Sequence, residues 1–220
     1  MNILICGDSF AADWTVKYSG QGWPNLLAQE FAVTNLAQAG CSEYKILKQL
    51  ESVDLAVYDK IVISHTSPYR IYIKKHPIHY NDPLHKNCDL IYTDIKEHVL
   101  KDQTLQPMVD YFENHFDFEH AKYMHTLLCE KIIKLLEPVQ DRVLHISNID
   151  WEDLYQFSNM VNFSYLFETN RGLMNHFDLE GNQIVFNRLK NLLQLVAGLG
   201  FEPRMAMAYE TTLVTGPSPR

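Results

Sequence analysis

Short apolar runs alternate with stretches of helical spacing along this chain, and that alternation constrains its fold more than any other feature. The runs are Asn2 to Cys6 (NILIC), Phe31 to Leu36 (FAVTNL), Lys60 to Ser64 (KIVIS) and Arg142 to Ile146 (RVLHI). Each reads as a short strand bounded by turn residues. After the first run, Pro24 opens a helical stretch with Leu26, Leu27 and Phe31 on one side, and proline suits a first helical turn. After the second, Ser42-Glu43 starts a helix to about Leu50, with Tyr44, Ile46, Leu47 and Leu50 apolar. A β-α-β-α-β order with short connections predicts a parallel sheet, right-handed crossovers and helices on both faces.

The pattern breaks between about 67 and 118, where Pro68, Pro77, Pro83 and Pro107 fall among frequent His, Tyr and Asn residues. This reads as a long insertion with some helix near 94–100 and 108–114, and loops of that length in a compact domain are usually functional or mobile. A long helix is expected over about 119–136, stopped by Pro138. A loop rich in Asn, Ser and Phe follows the fourth strand over 147–171, and a last helix covers about 179–195. The expectation is one domain over 1–199, followed by a poorly ordered tail over 200–220.

Bulk properties narrow the function classes. The 220 residues suffice for one α/β domain with a sizeable core. A formal net charge of -8 disfavours a nucleic-acid binder, which needs a basic face to meet phosphates. No run approaches the roughly 20 apolar residues of a membrane span, and Ile3 to Cys6 ends at once in Gly7-Asp8, unlike a secretory signal. The expected setting is the cytoplasm, with no membrane or nucleic-acid partner. The scattered Cys6, Cys41, Cys88 and Cys129 contain no CxxC, so reduced, mostly buried thiols are expected.

The chemistry-bearing positions fall at strand ends. Gly7-Asp8-Ser9, Ala39-Gly40 and His65-Thr66-Ser67 each follow a strand, and open parallel sheets gather their ligands at that edge. His176, in Asn175-His176-Phe177-Asp178, precedes the last helix and could reach the same edge. A serine hydroxyl is a weak nucleophile until a base within hydrogen-bond reach takes its proton. His176 is a candidate base, because an imidazole titrates near neutral pH. The Ser9 and Gly40 amides could then face an oxyanion. Each position also has a plainer reading: Ser9 as a helix cap, Gly40 as a turn glycine, His176 as a structural histidine. Asp178 reads as the N-cap of the last helix. Asp8 reads as an acceptor for backbone amides in its turn. Arg70 is either a clamp for an anionic substrate group or a structural ion-pair partner. His76, His79, His85 and Cys88 have ligand-like side chains, but their spacing matches no established zinc pattern. That segment is expected to form a polar, aromatic lid, and no metal or other cofactor is expected.

These residues resemble the SGNH/GDSL hydrolase family. The resemblance rests on ILICGDSF with Trp14 after it, Gly22-Trp23-Pro24 with Leu26-Leu27, Asn35-Leu36-Ala37-Gln38-Ala39-Gly40, KIVISHTS, and Asn175-His176 with Glu180-Gly181-Asn182. It implies an α/β fold, a three-layer α/β/α sandwich with a parallel central sheet and flavodoxin-like topology. It also implies Ser9 as nucleophile, His176 as general base, and Ser9, Gly40 and Ser67 around the oxyanion. Asp8, Thr66 and Arg70 would lie where substrate binds.

Two departures stand out. Ser67, or Thr66 if the register slips by one, occupies the place of the family's oxyanion-hole asparagine. Leu173 stands where an aspartate would orient the histidine, and loss of such a group elsewhere costs about 10⁴ in rate. The expected activity is hydrolysis of a small acyl ester, on a carbohydrate or other small molecule, through a Ser-His dyad. The alternatives are acyl transfer to a sugar, or a catalytically silent domain that binds a ligand.

Overall fold

The computed structural model describes residues 1–148, 155–172 and 176–195. Its strands are β1 (Asn2–Gly7), β2 (Ala32–Asn35), β3 (Lys60–Ser64), β4 (Val143–Ser147) and β5 (Met160–Asn162). Its α-helices are α1 (Trp23–Leu27), α2 (Glu43–Glu51), α3 (Tyr92–Val99), α4 (Gln106–Asn114), α5 (Phe118–Leu136) and α6 (Leu179–Leu195). The five strands form one all-parallel sheet in the order β2-β1-β3-β4-β5.

Alternation within β1 divides the core between the two faces of the sheet. Ile3 and Ile5, with Val62 and Ile146, pack against Trp23 and Leu27 of α1 and against Val185, Leu189 and Leu193 of α6. Leu4 and Cys6, with Ile61, Ile63 and Val143, pack against Ile46, Leu47 and Leu50 of α2 and against Ile132 and Leu136 of α5. All the strand residues named here are at most 7% exposed. The central strands therefore lack polar alternation and read as continuous apolar runs. The chain leaves β1 towards α1 on one face, and its next helix on the sheet after β3, α5, lies on the other. The crevice between the ends of β1 and β3 is thus a topological switch point.

Local signals set several helix ends. The Asp117 carboxylate accepts the His120 N–H and starts α5. Asp178 Oδ1 accepts the Gly181 N–H at 2.7 Å and caps α6, as its position in the sequence suggests. The Asn182 side chain then ties α6 back to α1, since its Oδ1 accepts the Trp23 N–H at 3.0 Å.

Two expectations are corrected. Residues 147–171 are not all loop, because β5 lies within them and pairs with β4 through Met160, Val161 and Asn162. A three-residue, half-buried edge strand is too short to show a period in sequence. The insertion at 67–118 carries its two expected helices, as α3 and α4, and adds an apolar core that was not expected. Ile71 and Leu90 form an antiparallel bridge, and Leu90, Ile95, Val99, Leu105, Val109 and Phe112 build a separate small core. The tail expected over 200–220 lies outside the described residues, as do Leu173 and Asn175. Among the described residues, no helix is long and apolar enough to cross a membrane.

Gly7 ends β1 at φ 153°, and a Cβ there would lie 2.6 Å from Ser64 Cβ and 2.8 Å from the Ser64 carbonyl oxygen. Strain and overpacking then act together, so Gly7→Ala is expected to cost about 2–4 kcal/mol. Urea unfolding of the two proteins measures this.

Candidate active site at the carboxyl edge of the sheet

The turn after β1 is held by a buried carboxylate. Asp8 is 1% exposed, and its Oδ1 accepts the Phe10 N–H at 3.1 Å and the Ser64 hydroxyl at 3.0 Å. Ser64 in turn accepts a hydrogen bond from Asn148 Nδ2 at 2.9 Å. The ends of β1, β3 and β4 are thus joined under Ser9. From α2, the Gln49 side chain accepts the Gly7 N–H at 2.7 Å and donates to the Gly7 carbonyl at 3.2 Å. Ser9 sits on this turn, 6% exposed, and its carbonyl accepts the Trp14 indole N–H at 2.7 Å.

His176 comes to the same turn. Its ring centroid lies 4.6 Å from that of Phe10 and 4.4 Å from that of Trp14. Its backbone carbonyl accepts the Gly172 N–H at 2.6 Å, and Arg171 bridges Phe177. The loop before α6 is thereby closed on itself. Phe177 packs on Phe10 at 5.2 Å, placing the start of α6 beside the Ser9 turn.

The loops after β2 and β3 meet through Arg70. Its Nη1 donates to the Gly40 carbonyl at 3.0 Å, and its Nε donates to the Thr66 hydroxyl at 3.0 Å. Two nitrogens of the guanidinium thus tie loop to loop, through a hydroxyl and a carbonyl and not through the ion pair expected for this residue. Gly40 adopts φ 72°, and a Cβ there would lie 2.5 Å from Cys88 Cβ. The insertion therefore presses on the glycine. Ser67 is 3% exposed, and its Oγ accepts the Tyr69 N–H at 3.2 Å. The structure brings Asp8 and Ser9 to one turn beside His176, and it joins Gly40, Thr66 and Arg70 in the adjoining wall.

Sequence reasoning missed two groups. One is Asn148, which ends the chain of bonds to Asp8. The other is a buried row on the α2 and α5 side of the sheet. His65 Nδ1 lies 2.7 Å from Glu43 Oε1, and His65 Nε2 lies 2.8 Å from His145 Nδ1. Phe157 stacks on both imidazoles at 4.1 Å. Burial, then His65, pushes the His145 imidazole down to about 2. Burial raises Glu43, but the charge and hydrogen bond of His65 outweigh it and hold the carboxyl below its usual value. Glu43, His65 and His145 are each at most 6% exposed, and this row braces the loop after β3 from beneath. The histidines stood in the sequence, but only the pairing of β3 with β4 brings them together.

No protein-family model matches the chain, and no curated protein matches it.

Burial pushes the Asp8 carboxyl up to about 6, against the pull of the Arg70 charge and its hydrogen bonds from Phe10 and Ser64. The folded chain therefore keeps a proton that the unfolded chain loses between about 3.8 and about 6. Stability from this group is present below that window and is lost as pH rises through it. Asp8→Asn removes that slope, so the wild type should lose about 2–3 kcal/mol relative to the variant across the window. Urea unfolding at several pH values tests it.

Proposed function

We propose that the chain is a serine hydrolase of the SGNH/GDSL type, acting on esters with a small acyl group. The observation that carries this reading is the packing of the His176 imidazole on Phe10 and Trp14, the residues around Ser9. The sheet order suits it as well, since β2-β1-β3-β4-β5 is a flavodoxin-like order with its crevice at β1 and β3. Helices on both faces fit the three-layer α/β/α sandwich that goes with that family. Four buried free thiols fit a reducing compartment, and we read the protein as cytoplasmic.

In this mechanism the Ser9 hydroxyl attacks the ester carbonyl while His176 takes its proton. The tetrahedral oxyanion is met by the Ser9 and Gly40 amides, with the Ser67 hydroxyl as third donor. His176 then gives the proton to the departing alcohol. Water, deprotonated by His176, cleaves the acyl-enzyme and restores Ser9. The Gly172 N–H, bonded to the His176 carbonyl, fixes the backbone from which the imidazole projects. Trp14 and Tyr18, with ring centroids 5.5 Å apart beside His176, offer an apolar face suited to stacking on a sugar ring. A carbohydrate ester is therefore the first substrate class to try, and acyl transfer to a second sugar would use the same acyl-enzyme.

One observation favours a catalytically silent, ligand-binding reading. Ser67, the expected third donor, is 3% exposed and is tied to its own loop by the Tyr69 N–H. Release of p-nitrophenol from p-nitrophenyl acetate decides between the two. The wild type should turn over, Ser9→Ala should fall to background, and His176→Ala should lose about 10²- to 10⁴-fold. Equal rates in the wild type and Ser9→Ala would remove Ser9 from the chemistry.

A further inference from the structure

We propose that the insertion carries a binding site for a zinc-class divalent cation, formed by His79, Asp94 and His98. One potential ligand atom from each of these residues lies within 4.8 Å of the other two. His79 Nε2 is 3.0 Å from Asp94 Oδ2 and 3.2 Å from Oδ1. A tetrahedral metal with nitrogen and oxygen ligands at about 2.0–2.2 Å holds neighbouring donors about 3.4 Å apart, so this hydrogen-bonded pair would open by only a few tenths of an ångström to take an ion. His98 completes the set from one turn further along α3. Its Nδ1 lies 3.4 Å from Asp94 Oδ1 and donates to the Asp94 backbone carbonyl at 2.8 Å, so an ion would take this nitrogen in exchange for that hydrogen bond, or Nε2 after a turn of the ring.

An independent observation points into the same place. His76 is 1% exposed, and its Nδ1 accepts the Ile78 and His79 backbone N–H groups, each at 3.2 Å. The proton of the neutral ring therefore sits on Nε2. That nitrogen is buried without a hydrogen-bond partner and faces Asp94 Oδ2 at 3.6 Å. In the proposed site His76 is not a ligand. Its N–H orients the ligating carboxylate from behind, as outer partners of metal ligands do. Two imidazoles and one carboxylate favour a first-row transition metal over Mg2+ or Ca2+, which prefer oxygen donors.

Of the other groups of ligand types among the described residues, Glu43, His125 and Cys129 are closed to solvent under α5, and His76, His79 and Cys88 share His79 with the proposed site but have His76 Nδ1 taken by two backbone N–H groups. His79, Asp94 and His98 are instead 24%, 24% and 32% exposed at their side chains, which leaves an ion a way in. A bound ion would staple the segment around His79 to α3. The same insertion places Cys88 against Gly40 and the His85 ring 6.2 Å from Trp14. The ion would thus stiffen one wall of the crevice, whatever chemistry the crevice performs.

The test is titration of the chelator-stripped full chain with Zn2+ by calorimetry, and with Co2+ by visible absorption. The site predicts one equivalent bound, a raised melting temperature, and cobalt bands of a nitrogen and oxygen ligand set. Asp94→Asn and His98→Gln should each weaken Zn2+ binding at least about tenfold while leaving the metal-free melting curve close to wild type. His98 is partly exposed, so its variant keeps the test informative if Asp94→Asn folds poorly. His120→Gln, on the exposed face of α5, should bind as wild type does. No stoichiometric binding, unchanged affinity in His98→Gln, or an equal melting shift with Mg2+ would overturn the proposal.

Discussion

A carboxylate buried at the end of the first strand ties the ends of β1, β3 and β4 together at the crevice. Asp8 receives hydrogen bonds from Phe10 and Ser64, and Asn148 reaches it through Ser64. Parallel strands have no hairpins at their ends, and here side-chain bonds across the carboxyl edge link them in addition to the backbone ladder. The absence of a Cβ at Gly7 is part of the same arrangement, since it lets β1 approach Ser64 closely enough for Asp8 to reach the hydroxyl. The cost is visible in the carboxyl itself, which burial drives up despite Arg70 nearby. A turn held in this way fixes the backbone at Ser9, which the proposed nucleophile would need.

The walls of the crevice come from parts of the chain that follow different rules. One wall is the loop before α6, capped by Asp178 and closed by the Gly172 N–H. It carries His176 by local hydrogen bonding and by packing of Phe177 on Phe10. The other wall is the insertion, which has its own apolar cluster and touches the sheet edge through Cys88 and Asp89. Asp89 is fully buried at its side chain and pairs with Lys45 at 2.7 Å. It also accepts the Ser42 and Ile73 N–H groups, so one carboxylate links the insertion to the start of α2. The insertion is therefore docked on the crevice by specific polar contacts, which makes its order relevant to whatever binds there.

The central strands were legible because they are buried on both faces. KIVIS and NILIC need no partner to be recognised, and the strand ends at Ser64 and near Cys6 follow from the polar residues just beyond. The Asp178 cap and the extent of α6 were legible for an equally local reason, since a capping carboxylate and an apolar helix face lie within one window. β5 was not, because Met160 to Asn162 becomes a strand only by pairing with β4 at the sheet edge. The small core of the insertion was hidden by its prolines, which break periodicity without preventing packing. Of the candidate site, the residues at strand ends could be named from sequence. Asn148 and the Glu43, His65 and His145 row could not. Their partners stand 84 positions away for Asn148 and Ser64, and 80 for His65 and His145. Only the strand order says which distant side chains meet.

The central claim is that Ser9 is a nucleophile activated by His176. A fluorophosphonate tests it most directly, because phosphonylation requires an activated hydroxyl and marks the residue that carries it. The account predicts one adduct, mapped by mass spectrometry to the peptide containing Ser9, formed by the wild type and strongly slowed in His176→Ala. A folded wild-type protein left unlabelled, or labelled elsewhere, would contradict it.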